Sequence, residues 1–173
     1  MSKILGVIIA ISVALSGSQS SPAIAAAPYD ASALMFAEMM VPHHQQAVLI
    51  SKLALKQSSN SSVKNLAAKI ISEQNPEVLQ MQSWIPTDGM MGMDHPMQGM
   101  VSPLDLTKLK AARGKKFDGL YLVDMTLHHQ GAIAMATPLM KSKNPEVAAL
   151  AKSIVNGQTA EIKEMRRIMM TGK

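Results

Sequence analysis

The chain has 173 residues, a formal charge of +5 and no cysteine, so one domain is the natural reading of its length, and disulfides and thiolate metal sites are excluded. One Trp, two Tyr and two Phe offer too few stacking surfaces for a nucleic-acid partner, and the basic excess is modest. Methionine is the outlier, with sixteen residues, fifteen of them beyond position 25.

In chain order, Lys3, an apolar run over 4–15 and the small-residue segment Ala23-Ile24-Ala25 predict a secretory signal peptide over 1–25, too short in its apolar part to span a membrane. The expectation is an exported protein, periplasmic or fully secreted, with no stable membrane anchor once the leader is cleaved. Packing must then supply the stability that disulfides usually give an exported domain.

Beyond the leader, strong helix formers with apolar residues three and four apart predict helices over 31–55 and 63–84, separated by the polar turn Ser58-Ser59-Asn60-Ser61. These form a first helical hairpin over 30–84. A connection over 85–103 follows, rich in Gly and Pro, with Met90, Met91, Met93, His95, Met97 and Met100 in no helical period. The basic run Lys108, Lys110, Arg113, Lys115, Lys116 reads as a solvated helix face. Helices over 117–140 and 145–170 complete a second hairpin within 104–171, with Asn144-Pro145-Glu146 supplying cap, first-position proline and first-turn acid. Pro42, Pro76 and Pro138 fall inside these helices and predict kinks or breaks.

The two hairpins are copies. A shift of 85 aligns Phe36, Met40, His43 and Ala47 with Tyr121, Met125, His128 and Ala132. A shift of 84 aligns Val63, Leu66, Ala67, Ile70, Ile71, Gln74, Glu77 and Met81 with Val147, Leu150, Ala151, Ile154, Val155, Gln158, Glu161 and Met165. Neither hairpin alone can bury its apolar stripe, so the predicted architecture is an all-α four-helix bundle with one long Met-rich connection.

Four of the five histidines lie in two doublets, His43-His44 and His128-His129, with methionines one helical turn before them. Met39 and Met40 precede the first doublet, Met125 stands three and four before the second, and Met135 lies seven after His128 on its face. Consecutive residues diverge by about 100° around a helix, so the two rings of a doublet should meet different neighbours. On the partner helices Gln74, Glu77 and Met81 share a face, and Gln158, Glu161 and Met165 repeat it. Antiparallel packing should bring that face to the histidines, with imidazole and thioether as ligands and the carboxylates and amides holding imidazole N–H groups. A single helical histidine or methionine would ordinarily be core or surface, and Met35, Met140, Met169 and Met170 are assigned so; repetition of the whole set is what points to metal.

Thioether favours Cu(I) and, by the same softness, Ag(I), while imidazole also serves Cu(II). The lack of cysteine argues against structural zinc and blue copper, and no histidine has the glutamate three residues before it that a di-iron bundle uses. The connection's methionines have no core to fill and are candidates for accessory ions. With imidazole near its ordinary pKa of about 6.5, protons should weaken Cu(II) binding between about pH 7 and pH 5 more than Cu(I) or Ag(I) binding.

The segments FDGLYLVDM and HHQGAIAMA, with the Gln-x-x-Glu-Ile-x-x-Met run from Gln158 to Met165, resemble the domain-of-unknown-function family 305. The two-copy chain with its Met-rich connection is similar to bacterial copper-resistance proteins of the CopM type. This resemblance, over residues 31–170, implies a ferritin-like bundle, export, and binding of Cu(I) and Ag(I), with Cu(II) as a further ion, in copper tolerance. It places ligand roles on Met125, His128, His129 and Met165. The first copy departs from the pattern, with Gln46 where Gly131 stands and Ile50 where Met135 stands.

The resulting expectation is a non-enzymatic exported protein that sequesters or buffers copper. Its rivals are a chaperone handing copper to an efflux system or cuproenzyme, an enzyme oxidising Cu(I) to Cu(II), and a purely structural helical adaptor.

Overall fold

A computed structural model describes residues 28–86 and 97–172; the proposed leader, Met90, Met91, Met93 and His95 lie outside the described residues. The Asp30 carboxylate accepts from the Ala33 amide at 2.9 Å and starts α1 (Ala31–Gln57). Asn60 starts α2 (Ser61–Trp84) by accepting from the amides of Ser62 and Val63. Its repeat equivalent Asn144 does the same for Glu146 and Val147 at the head of the last helix, so the copies share their caps as well as their apolar positions.

Three features differ from expectation. Residues 103–111 form a separate short helix, α3 (Pro103–Ala111), and Arg113 ends it by donating to the carbonyls of Lys110 and Ala112. The basic run is therefore split between α3 and α4 (Gly114–Ala136) and is not one helix face. Second, α1 and α2 run unbroken through Pro42 and Pro76. Pro76 is exposed and Pro42 half-buried, so water can reach the carbonyl that each proline leaves without a donor. Third, α4 ends at Ala136 and not at 140, because the break expected at Pro138 takes the form of a 3-10 turn (Thr137–Lys141) before α5 (Pro145–Thr171).

Two apolar clusters fill the bundle. One joins Ala47, Ile50 and Ala54 in the C-terminal half of α1 to Leu66 and Ile70 early in α2, Phe117 and Tyr121 early in α4, and Ile168 late in α5. The other joins Phe36 and Ala37 early in α1 to Val78 and Trp84 late in α2, Ala132 and Ala136 late in α4, and Leu150 and Ile154 early in α5. Hence α1 runs parallel to α5 and antiparallel to α2 and α4. The connection from α2 to α4 must traverse the bundle's length, as in ferritin-like folds. Burying each large apolar side chain contributes roughly 1.5–3 kcal/mol, which is what holds a bundle without cross-links. Among the described residues no helix is long and apolar enough to cross a membrane.

Halfway along, the apolar filling is interrupted. His43, His44, Gln74, His128, His129, Gln158 and Glu161 are all buried, and on every helix they fall between the residues of one cluster and those of the other.

The connection crosses this level. Its turn over 97–100, closed by the Met100 amide donating to the Met97 carbonyl at 3.3 Å, places Gly99 at φ +86°. A Cβ on Gly99 would stand 2.6 Å from the Leu127 carbonyl oxygen, and one on Gly131 would overlap the carbonyl of Gln98. From α1, Gln46 grips the same strap: its amide donates to Val101 O at 3.0 Å and accepts from Val101 N–H at 2.8 Å. The repeat difference at Gln46 and Gly131 thus has a local cause. Two equivalent positions face a single connection, and one grips it while the other makes room for it. Gly131→Ala should lift the turn off α4. Alanine is the better helix former by about 1 kcal/mol, yet we expect a net loss of roughly 1–3 kcal/mol, read as a lower urea midpoint, because partly buried hydrogen bonds of the strap are broken. A higher midpoint would show that the turn is not held there.

Candidate metal centre

Each histidine doublet splits as helical geometry requires. His44 turns to α2, where its Nε2–H donates to Glu77 Oε2 at 3.0 Å. His129 turns to α5 and donates from Nε2–H to Glu161 Oε2 at 2.8 Å. The other two meet across α1 and α4: the rings of His43 and His128 lie 3.7 Å apart by centroid, tilted by 36°. His43 Nε2–H donates to the Gln98 carbonyl of the strap at 3.1 Å.

Because the acceptors are a carbonyl and two carboxylates, Nε2 carries the proton in these three rings, and the neutral tautomer leaves Nδ1 as a bare lone pair. Those Nδ1 atoms are buried with no partner among the described residues, and the ring nitrogens of His128 meet only the His43 backbone, without a well-formed hydrogen bond. The side-chain amides of Gln74 and Gln158 are equally unpartnered there. Buried polar groups are nearly always paired, so these nitrogens and amides call for partners from outside the chain, water or an ion.

The electrostatics favour the neutral form of His43, His128 and His129. Burial pushes His43 down from 6.5 to about 3, with His44 adding to the shift. Burial likewise pushes His128 well below its ordinary value, the neighbouring histidines acting in the same direction. For His129 burial lowers the pKa against the opposing pull of Glu161. Burial would raise the Glu161 carboxyl, but the hydrogen bond from His129 and the Lys69 ammonium outweigh it and hold it below the usual range. His129 and Glu161 are therefore a neutral imidazole donating to a carboxylate, the arrangement that orients histidine toward a metal through its other nitrogen.

The repeated methionines flank the layer. Met40 and Met81 are fully buried where the second cluster begins, and Met125 and Met165 where the first begins. Each lies one helical turn from a histidine or glutamate of the layer. Thr126 donates to Met165 Sδ at 3.3 Å. Met39 and Met135 are half-buried, Met135 against the second cluster, and Met97 and Met100 are half-buried in the strap. Met35, Met169 and Met170 are exposed. Among the described residues no three His, Asp or Glu side chains are grouped to hold one ion.

Lys69 was not singled out from sequence. It donates to Glu73 Oε2 at 2.6 Å and, across to α5, to Glu161 Oε1 at 3.1 Å. Pairing between helices distant in sequence leaves no local pattern to read.

A family model described as a domain of unknown function, DUF305, matches residues 33–169. The chain belongs to the DUF305 family. Among solved DUF305 structures, one from Streptomyces coelicolor, described as a secreted protein, is 30% identical with a TM-score of 0.70, the match covering 78% of this chain and 89% of that one. One from Deinococcus radiodurans is 31% identical with a TM-score of 0.73, covering 82% and 97%. CopM in its Cu(II)-bound form is 31% identical with a TM-score of 0.69 over the same shares, 82% and 97%. In its Cu(I)-bound form it is 33% identical with a TM-score of 0.64, covering 78% and 93%, and Ag-bound forms are similar too. No curated protein matches this DUF305 chain.

Proposed function

We propose that this chain is an exported, non-enzymatic copper-binding protein that sequesters Cu(I), takes Ag(I) as a soft analogue and accepts Cu(II) on imidazole, and so contributes to copper tolerance. The observation that carries the reading is the mid-bundle layer of four buried imidazoles. Three hold Nε2–H on a fixed acceptor and present an unpaired Nδ1, and all four lie within a helical turn of buried thioether sulfur. The unpaired nitrogens are spread over the layer, so an ion held there takes one or two imidazoles and completes its set with methionine. That suits the softness and low coordination numbers of monovalent copper and silver. Similarity to CopM, solved with Cu(I), Cu(II) and silver, supports the same ions here. The leader read from residues 1–25, together with a relative described as secreted, supports export to the periplasm. Two repeated half-sites favour buffering over delivery to a single target.

The test is an anaerobic Cu(I) titration against a competing chelator, on wild type and on the double variant His128→Ala, His129→Ala. Wild type should compete for copper, and the variant should lose capacity while retaining the His44 side of the layer. A wild-type chain that leaves all copper with the chelator would reduce the protein to a structural adaptor.

A further inference from the structure

Between α2 and α5 lies a cleft of two cavities, of about 430 and 270 Å³, that share Glu161; Lys69 lines the larger. The smaller is bordered by Glu73, Glu77 and Glu161, and two of these carboxylates are the ones that hold His44 and His129. Gln74 and Gln158 border it as well; they are 2% and 3% exposed, and neither amide has a partner among the described residues. Carboxylates at the rim attract a cation by charge, and because oxygen is a weak ligand for a soft ion they and the amide oxygens within would pass it on to the imidazole layer without retaining it.

The repeat symmetry that governs the core is broken in this cleft. The position equivalent to Lys69 is Ser153, and the position equivalent to Glu73 is Gly157; both line the same cavity. Lys69 bridges Glu73 and Glu161, and the Glu161 side chain is only 2% exposed. Among the described residues Glu77 has no such cation. It pairs with His44 alone among the described residues, and its side chain is 15% exposed.

We propose that this cleft is the port through which a soft cation exchanges with the buried imidazoles, and that Lys69 closes it over the His129–Glu161 pair while leaving it open over the His44–Glu77 pair. The proposal rests on the metal-binding reading above. An incoming cation at Glu161 meets an ammonium already in the cationic position and must wait for it to swing away, whereas none stands at Glu77. The two halves of a nearly symmetric site therefore load and unload at different rates.

Stopped-flow mixing tests this, with Cu(I) as the probe: loading from a weak Cu(I) complex, and release into an excess of a chromogenic Cu(I) chelator, both anaerobic. Wild type should show a fast and a slow phase. Lys69→Ala should speed the slow phase in both directions by about tenfold or more, the scale of one charge-assisted hydrogen bond broken at each opening. Lys69→Arg should keep it slow. The paired change Ser153→Lys, Gly157→Glu builds the same bridge on the open side and should slow the fast phase; a Cβ on Gly157 meets nothing nearer than Glu73 Oε2 at 3.9 Å. Acceleration of release alone would show that Lys69 only steadies Glu161, and would overturn the latch. Rates indifferent to both variants would overturn the port while leaving metal binding intact. A wild type that binds no Cu(I) would overturn both.

Discussion

Replacing His128 with leucine should raise the stability of the metal-free protein and at the same time lower its Cu(I) capacity. His128 is fully buried, its ring nitrogens meet only the His43 backbone and make no well-formed hydrogen bond among the described residues, and apolar clusters lie on both sides of its layer. Each unsatisfied buried group costs about 1–3 kcal/mol, and leucine fills a similar volume without that cost. A gain of roughly 1–3 kcal/mol corresponds to several degrees in Tm for a chain of this size. Natural cores retain such unfavourable groups where function demands them. Scanning calorimetry of the apo variant beside a Cu(I) titration checks both halves. A lower Tm would make His128 a structural residue and remove the reason for reading the layer as a site.

Acid should unfold the metal-free protein from about pH 6 downward, and bound metal should oppose it. The pKa of His43 is lowered from 6.5 to about 3 on folding, so between those values the unfolded chain binds the proton and the folded chain does not. The stability this neutral ring contributes is complete above pH 6.5 and lost as pH falls toward 3, on the order of 5 kcal/mol in all. His128 and His129 are shifted the same way and add to the loss. Glu161, held low, adds a further loss below the ordinary carboxylate range. A domain's whole stability is about 5–15 kcal/mol, so unfolding should precede protonation of the intact site. The sequence-based expectation that Cu(II) binding fades between pH 7 and pH 5 by direct competition at ordinary imidazoles changes accordingly. These rings stay neutral in the folded protein, and metal should be lost with the fold. Far-ultraviolet circular dichroism against pH, with and without Ag(I), tests this. Helix content unchanged to pH 4 in the apo protein, with Cu(II) lost along a single titration near pH 6.5, would contradict it.

Much of the bundle is legible in the sequence because its determinants are local. The caps at Asn60 and Asn144 and the three-and-four spacing of Leu66, Ala67, Ile70 and their copies set the hairpins to within a few residues of the observed helices. The divergence of each histidine doublet follows from 100° per residue alone. α3 was hidden because it is nine residues long and buries only Leu109, too little to make a period. The ring contact of His43 with His128, the strap on Gly131 and the bridge from Lys69 to Glu161 join segments far apart in the chain. Nothing in either segment announces its partner. The lowered pKa values are likewise products of the packed surroundings, which composition cannot supply.

The most direct test of buried imidazole nitrogen as metal ligand is a long-range ¹H–¹⁵N correlation of histidine-labelled protein with and without Ag(I). The result expected is metal on Nδ1 of His44 and His129, with Nε2 of each still protonated toward Glu77 and Glu161, and shifted methyl signals from Met40, Met81, Met125 and Met165. Ring nitrogens and methionine methyls left at their metal-free positions in the presence of Ag(I), or metal on Nε2 with the glutamates released, would contradict it.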